Sequence, residues 1–270
     1  MILEKTIKLI KQIYQESEIV PPKLTKVVVG LGYTGVEVST PALKPILGLA
    51  STLSSIIKAT DCNKIEFAGN ITTRNLSELL NWACEPPSLK KIIGIAALNA
   101  ASQHIFKLKN PYPKLRRDLT NYLKINQDTN LTFVGLIKPL IRELSERTQK
   151  ITIIEDTFSI PQEFSQFKSK KSIENLEREK VSTNILFCTG TALINNTIEK
   201  ILELFREKAR KIILIGPSAS LIPDILFENG VDIVGGMEIL DSRATLRVLQ
   251  EGGGTKLFKQ YGKKYNLIKE

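Results

Sequence analysis

The sequence predicts an α/β protein in which a smaller α+β segment precedes a doubly wound parallel sheet. From about residue 130 onward, short β-rich runs alternate with amphipathic helical patterns, the order produced by parallel βαβ units. Before residue 87 one helical pattern is followed by closely spaced β-rich runs with Gly and Thr between them, which argues for antiparallel pairing. Between the two stands Pro86-Pro87, which cannot continue a helix and stiffens the chain beyond it. The expected division is an α+β domain at 1–87, a parallel-sheet domain at 88–256 and a basic tail at 257–270.

Leu3, Ile7, Ile10 and Tyr14 recur at helical spacing until Pro21-Pro22 interrupts the pattern. Residues 27–30 and 35–38 are β-rich and flank Gly32-Tyr33-Thr34, a turn or bulge signal, and 46–50 adds a third strand. Residues 76–84 read as a helix with Leu79, Leu80 and Ala83 inward. Residues 89–105 form an apolar helix whose Ala96, Ala97, Ala100 and Ala101 permit close packing between the two domains. Five strands come next. Residues 131–134 end in Gly135, 151–154 in Glu155-Asp156 and 185–188 in Thr189-Gly190-Thr191; 212–215 end in Gly216-Pro217-Ser218 and 231–234 in Gly235-Gly236. Helices are expected at 139–146, 222–229 and 242–250, and one with Ile194, Ile198, Ile201, Leu202 and Phe205 inward follows Thr191 as its N-cap. Segment 157–180 shows no firm strand, and no internal repeat occurs.

Of 270 residues, 42% are apolar and 24% charged, a balance that excludes disorder for most of the chain. No stretch approaches the roughly 18 uninterrupted apolar residues of a membrane-spanning helix, and Glu4, Lys5, Lys8 and Lys11 break any secretory signal at the start. Cys62, Cys84 and Cys188, odd in number and far apart, suit a reducing compartment, so a cytoplasmic location is expected. The net charge of +10 is concentrated: residues 89–150 carry 12 basic and 4 acidic side chains, a surplus of +8. Much of it lies in Lys107, Lys109, Lys114, Arg116, Arg117 and Lys124, with Phe106, Tyr112 and Tyr122 interleaved, a composition that can track a nucleic-acid backbone. Asn110, Pro111 and Pro113 mark a solvated loop there, and nucleic acid ranks last among the partners.

In open parallel sheets, ligands bind outside the carboxyl ends of the strands. Four of the five expected strands end in glycine-bearing turns, at Gly135, Gly190, Gly216 and Gly235, where a backbone without a β-carbon lets a ligand approach. Backbone N–H groups at Gly190-Thr191 and Gly216-Ser218 are the expected cradle for an anionic group, with Thr189 and Asn195 orienting the ligand and Pro217 shaping the turn. Tyr33 and Thr34 are expected to close the site from the first domain, with Asn99 near the hinge and Asp241 as a helix cap or ligand contact. A ligand touching both domains predicts closure on binding. Glu155 follows Gly135 by 20 residues, where dinucleotide-binding domains keep the acid that holds a ribose, but Gly135-Leu136-Ile137-Lys138-Pro139 lacks the second and third glycines of that fingerprint. Donors for soft metals are few: His104 is the only histidine and the cysteines form no CxxC pair.

Gly94-Ile95-Ala96-Ala97-Leu98-Asn99-Ala100, Thr189-Gly190-Thr191-Ala192-Leu193-Ile194-Asn195-Asn196-Thr197, Gly216-Pro217-Ser218, Gly230-Val231-Asp232 with Gly235-Gly236, and Glu251-Gly252-Gly253-Gly254-Thr255-Lys256 together resemble the putative heavy-metal chelation domain family. Gly30-Leu31-Gly32-Tyr33-Thr34-Gly35-Val36 and Phe67-Ala68-Gly69 resemble the domain that accompanies it. The resemblance implies an N-terminal domain similar to that of enolases, a Rossmann-like C-terminal domain and a site in the cleft between them. The expected ligand is a small molecule or a metal complex, with Glu37, Glu155 and Asp241 as the available hard oxygen donors for a metal ion. The alternative is a transferase binding a nucleotide or an S-adenosyl-type ligand; the sequence does not decide whether the protein is an enzyme.

Overall fold

The computed structural model describes residues 1–57, 60, 64–109, 112–116, 118–156, 159–170 and 182–269. Helix α1 (Ile2–Glu16) buries Leu3, Ile7, Ile10 and Tyr14, the stripe its spacing predicts. It is followed by an antiparallel meander of β1 (Lys23–Val29), β2 (Tyr33–Thr40) and β3 (Leu43–Ser51) in the order β1-β2-β3. The meander's register pairs Val36 with Gly48 and Val38 with Ile46, so the two-residue period sends Val36, Val38, Ile46 and Ala50 to one face. Glu37, Leu47 and Leu49 fall on the other face, and both faces are covered.

Helix α2 (Leu76–Trp82) starts at Asn75, whose side chain accepts the Glu78 N–H at 2.8 Å, and leads to α3 (Leu89–Lys109). Every residue of α3 from Lys91 to Phe106 is buried. Gly48 makes this possible on the meander side: a β-carbon there would lie 2.1 Å from the Ala96 carbonyl oxygen and 2.2 Å from the Ala100 nitrogen. Gly94 plays the same part against α2, 2.2 Å from the Ala83 nitrogen. His104 is buried in α3 with Nδ1 3.1 Å from the Tyr14 hydroxyl, and burial holds its pKa below the ordinary histidine value.

The second sheet follows α4 (Leu119–Tyr122) and comprises β4 (Leu131–Val134), then α5 (Lys138–Ser145), β5 (Ile151–Ile154), β6 (Lys168–Lys170) and β7 (Ile185–Thr189). After β7 come α6 (Thr191–Ile194), α7 (Ile198–Phe205), β8 (Lys211–Ile215), α8 (Asp224–Glu228) and β9 (Ile233–Ile239). The chain closes with α9 (Ser242–Gln250), α10 (Thr255–Phe258) and β10 (Gly262–Ile268). Strand order is β10-β9-β8-β7-β4-β5-β6, parallel except for β10, which runs antiparallel to β9. The fold is therefore the α/β class the alternation predicts. Leu131, Phe133, Ile153, Phe187 and Ile213 form one face with Ile141 and Leu144 of α5; Val134, Leu186, Leu214 and Val234 face the core shared with α3.

Three local expectations are corrected. Residues 262–268, expected in a basic tail, form the edge strand β10, whose exposed Lys263 and Lys264 hid an otherwise regular pairing. Lys168–Lys170, in the segment with no expected strand, pairs with β5 as a short charged edge strand. Gly235 and Gly236 lie inside β9, packed against Asn266 and Tyr265 of β10, and not in a turn. Cys62, Asn110, Pro111 and Arg117 lie outside the described residues. Among those described, no helix is long and apolar enough to cross a membrane.

Gly48→Ala is expected to destabilise the fold by more than about 2 kcal/mol, because backbone and not a flexible side chain blocks the new methyl group; the shift of a urea unfolding midpoint measures it. His104 is held neutral in the fold while the unfolded chain takes up a proton near pH 6.5. Its contribution is thus intact above about pH 6.5 and declines as pH falls below it, by at most about 1.4 kcal/mol per pH unit. Unfolding midpoints of the wild type and His104→Gln should converge on acidification from about pH 7.5 to about pH 5.5.

Candidate functional site: a cleft at the switch point of the parallel sheet

From β4 the chain moves outward to β5 and β6, then crosses back to lay β7, β8 and β9 on the other side of β4. Connections leaving the neighbours β4 and β7 diverge, which opens a crevice at their carboxyl ends. A cleft of about 540 Å³ lies there. One wall is built from the strand ends: Gly135 and Leu136 after β4, Glu155 and Asp156 after β5, Thr189 at the end of β7, and Thr191, Asn195 and Thr197 beyond it. The other comes from the meander, with Leu31, Gly32 and Tyr33 at one turn and Ser51, Thr52 and Ser54 where β3 ends.

Gly135 is required by geometry. Its φ is +93°, and a β-carbon would sit 2.4 Å from Cγ2 of Thr189. Glu155 turns back toward it, with Oε2 accepting the Leu136 N–H at 2.9 Å, so the acid braces the turn after β4 while lining the cleft. Tyr33 is held by its hydroxyl, which accepts from Thr255 Oγ1 at 2.8 Å, and by an edge-on contact with Phe258 at 5.0 Å.

The sequence-predicted residues divide into three groups. Tyr33, Glu155, Thr189, Thr191 and Asn195 line the cleft together. A second group holds its walls in place. Thr34 is buried with its hydroxyl 2.9 Å from that of Thr52. Ser218 Oγ accepts the Ser51 N–H at 2.9 Å, and Asn99 donates to the carbonyls of Leu49 at 2.7 Å, Ser218 at 3.1 Å and Pro217 at 3.3 Å. The third group, Gly235 and Asp241, does not line the cleft: Gly235 is in β9, and Asp241 caps α9 by accepting the Ala244 N–H at 2.9 Å.

The expected N–H cradle is corrected in its details. Gly190 donates to the Ile215 carbonyl and Gly216 to the Gly235 carbonyl, each at 2.9 Å, so both groups are committed to extending the sheet. Gly190 is small because a β-carbon would meet the Ala219 nitrogen at 2.7 Å, not because a ligand approaches. Thr191 opens α6 instead of capping it, and the single helix expected after it breaks at Asn195–Thr197, where Asn196 takes a φ of +59°. That break is what turns Asn195 and Thr197 toward the cleft. Thr197, read from the sequence as a hydroxyl beside Asn195 in the first turns after Thr191, lines the cleft, while Ser51, Thr52 and Ser54 escaped the sequence reading, and the polar run after β3 was the available signal.

The lining has a definite chemical character. Among the described residues it carries two carboxylates, an amide and seven hydroxyl groups, and neither lysine nor arginine, thiol nor imidazole. The described soft donors lie elsewhere. His104 is in α3 against Tyr14. Cys188 is fully buried and its thiol is pushed up to about 12 by desolvation, while burial, helped by Glu4, raises that of Cys84. Glu37, expected beside Glu155 as a hard donor, is instead buried between Thr25 Oγ1 and Ser242 Oγ, each 2.8 Å from its carboxylate. Among the described residues, no three His, Cys, Asp or Glu side chains come together to hold a metal ion. These residues do not fit a soft metal ion bound by protein side chains alone.

A family model described as putative heavy-metal chelation matches residues 118–268, and a second with the same description matches residues 15–102. An uncharacterized protein of Methanocaldococcus jannaschii is 27% identical over 197 residues, which covers 72% of each chain. The fold is shared with the crystal structure of a Pyrococcus horikoshii protein of unknown function from this family, with a TM-score of 0.75 at 23% identity and 100% coverage of both chains. A family member from Desulfitobacterium hafniense DCB-2 gives a TM-score of 0.71 at 18% identity, over 97% of this chain and 100% of that one. Matched over more than half its length by one model and over most of the remainder by its companion, the chain belongs to the family described as putative heavy-metal chelation.

Proposed function

We propose that this protein binds a metal-bearing small molecule in the cleft between the meander and the carboxyl edge of the parallel sheet, with the metal held mainly by the organic chelate. The observation that carries the reading is the lining: among the described residues, abundant oxygen donors and acceptors, two carboxylates, and no side chain suited to a bare soft ion. Hydroxyls and an amide recognise the polar rim of a chelate by hydrogen bonds, and the carboxylates favour a neutral or cationic complex over a net anion. Thr189, Thr191 and Asn195 meet the ligand from one side and Tyr33 and Ser54 from the other, while Glu155 accepts from its donors. The parallel-sheet region and the meander act here as two domains, each supplying one wall.

A nucleotide or S-adenosyl-type ligand has less in its favour. Glu155 is placed to meet a ribose, but the turn after β4 continues into Lys138-Pro139 without the further glycines of a pyrophosphate turn, and among the described residues no cation lines the cleft to meet phosphates.

Native mass spectrometry of protein purified from its own source without added chelators tests the proposal. The expected result is an adduct containing both a metal and an organic mass, lost or reduced at least about tenfold in Thr191→Val and Glu155→Gln. An adduct that survives both substitutions would remove the site from this cleft, and a bound organic mass without metal would overturn the chelate reading.

A further inference from the structure

The opposite edge of the parallel sheet carries a second cavity, of about 710 Å³, which the function proposed above does not use. It lies where β4, β7 and β8 begin. Lys124, Arg210 and Lys211 line it, with Asp128 the only acid among the described residues of the lining. Asp128 is paired with Lys150 at 2.9 Å, and Lys211 with Asp232 at 2.8 Å. Among the described residues, no carboxylate pairs with Lys124 or Arg210, so the cavity keeps a local positive excess. Lys124 belongs to the segment 89–150 that holds most of the net charge, and the fold brings Arg210 and Lys211 from outside it to the same cavity.

The frame around these two cations is fixed by the backbone. Asn184 joins three segments: its side-chain oxygen accepts the Asn130 N–H at 2.8 Å, and its carbonyl accepts the N–H groups of Arg210 at 2.9 Å and Lys211 at 3.3 Å. Asn126 closes the neighbouring loop by accepting from the Asp128 N–H and Thr129 Oγ1, each at 3.0 Å. Lys124 stands at the end of α4 with a φ of +50°, which redirects the chain out of the helix. Tyr122, 38% exposed, adds an aromatic surface beside the charges.

We propose that this basin binds the phosphate group of a phosphorylated small molecule. A guanidinium presents a planar fork of donors to a phosphoryl group, and a lysine adds a mobile point charge. Arg210 supplies the fork, Lys124 the second charge and Tyr122 a face for the remainder of the ligand. The basin is separate from the carboxylate-lined cleft, which occupies the other end of the same strands.

Calorimetric titration of the full chain with inorganic pyrophosphate tests this. Saturable one-to-one binding is expected, weakened at least about tenfold by Arg210→Gln and by Lys124→Gln. Lys8→Gln, an exposed change on α1, and Thr191→Val in the first cleft should leave it unaltered. Since the substituted basic residues are exposed, unfolding midpoints should stay at the wild-type value and separate lost binding from lost fold. The proposal is overturned by absence of saturable binding, by equal weakening in Lys8→Gln, or by loss in Thr191→Val with Arg210→Gln unaffected. It is also overturned if a single-stranded RNA binds more tightly than pyrophosphate with a salt dependence reporting several phosphate contacts, which would assign the surface to nucleic acid.

Discussion

The burial of α3 on every side is the constraint on which the rest of the molecule depends. A helix with one apolar stripe needs one neighbour, whereas a helix buried continuously from Lys91 to Phe106 must be enclosed. Gly48 lets β3 approach its backbone from one direction, and the segment after β8 encloses it from another. Its polar side chains serve as fasteners. Ser102 Oγ accepts the Ile222 N–H at 3.0 Å, while Gln103 donates to the Ser220 carbonyl at 3.0 Å and to the Tyr265 hydroxyl at 2.8 Å. Lys91, buried and with its pKa lowered first by desolvation, donates to the Ala83 carbonyl at 2.6 Å, at the end of α2. Each such bond satisfies a group whose burial alone costs about 1–3 kcal/mol, so the pairing is specific as well as close.

That enclosure bears on how far the walls of the cleft can move. The meander wall is tied to the parallel-sheet wall by Asn99 and by the Ser51–Ser218 bond, and from outside by Glu37 to Ser242 and Tyr33 to Thr255. Gly30 packs so tightly on the end of α9 that a β-carbon would lie 2.4 Å from the Leu249 carbonyl oxygen. Closure of one domain on the other would break several of these contacts together. A preformed cleft asks less ordering of itself when a ligand arrives, which favours binding by fit over capture by a moving lid.

The sequence made the strands legible because their two-residue and continuous apolar patterns survive without any tertiary information. It made α3 legible through its alanines. The features it left hidden were those defined by partners distant along the chain. β10 reads as a lysine-rich tail until β9 is beside it, with Tyr265 and Asn266 filling the space above Gly236 and Gly235. Glycine was the most ambiguous letter: Gly135 needs its positive φ in a cleft-lining turn, whereas Gly190 and Gly48 are small because another segment's backbone presses on them. Of the site, the strand-end residues were visible because parallel topology fixes where they go. Ser51, Thr52 and Ser54 were not, because only the docking of the meander brings the end of β3 to the switch point.

The two ends of the parallel sheet carry opposite chemistry, and topology explains why both can persist in one small protein. Strands run in one direction from the Lys124–Arg210 basin to the Glu155–Asp156 cleft, so charges at the two ends are separated by the length of the strands and by an apolar interior. β4 and β5 are four residues each, and at about 3.3 Å per residue the strands alone span about 13 Å. That is beyond the Debye length of about 8 Å at physiological ionic strength, so the exposed charges at the two ends are largely screened from each other through the surrounding solvent. A cationic basin beside the carboxylates would neutralise them. Placed at the strand starts, it leaves the cleft to its carboxylates and hydroxyls.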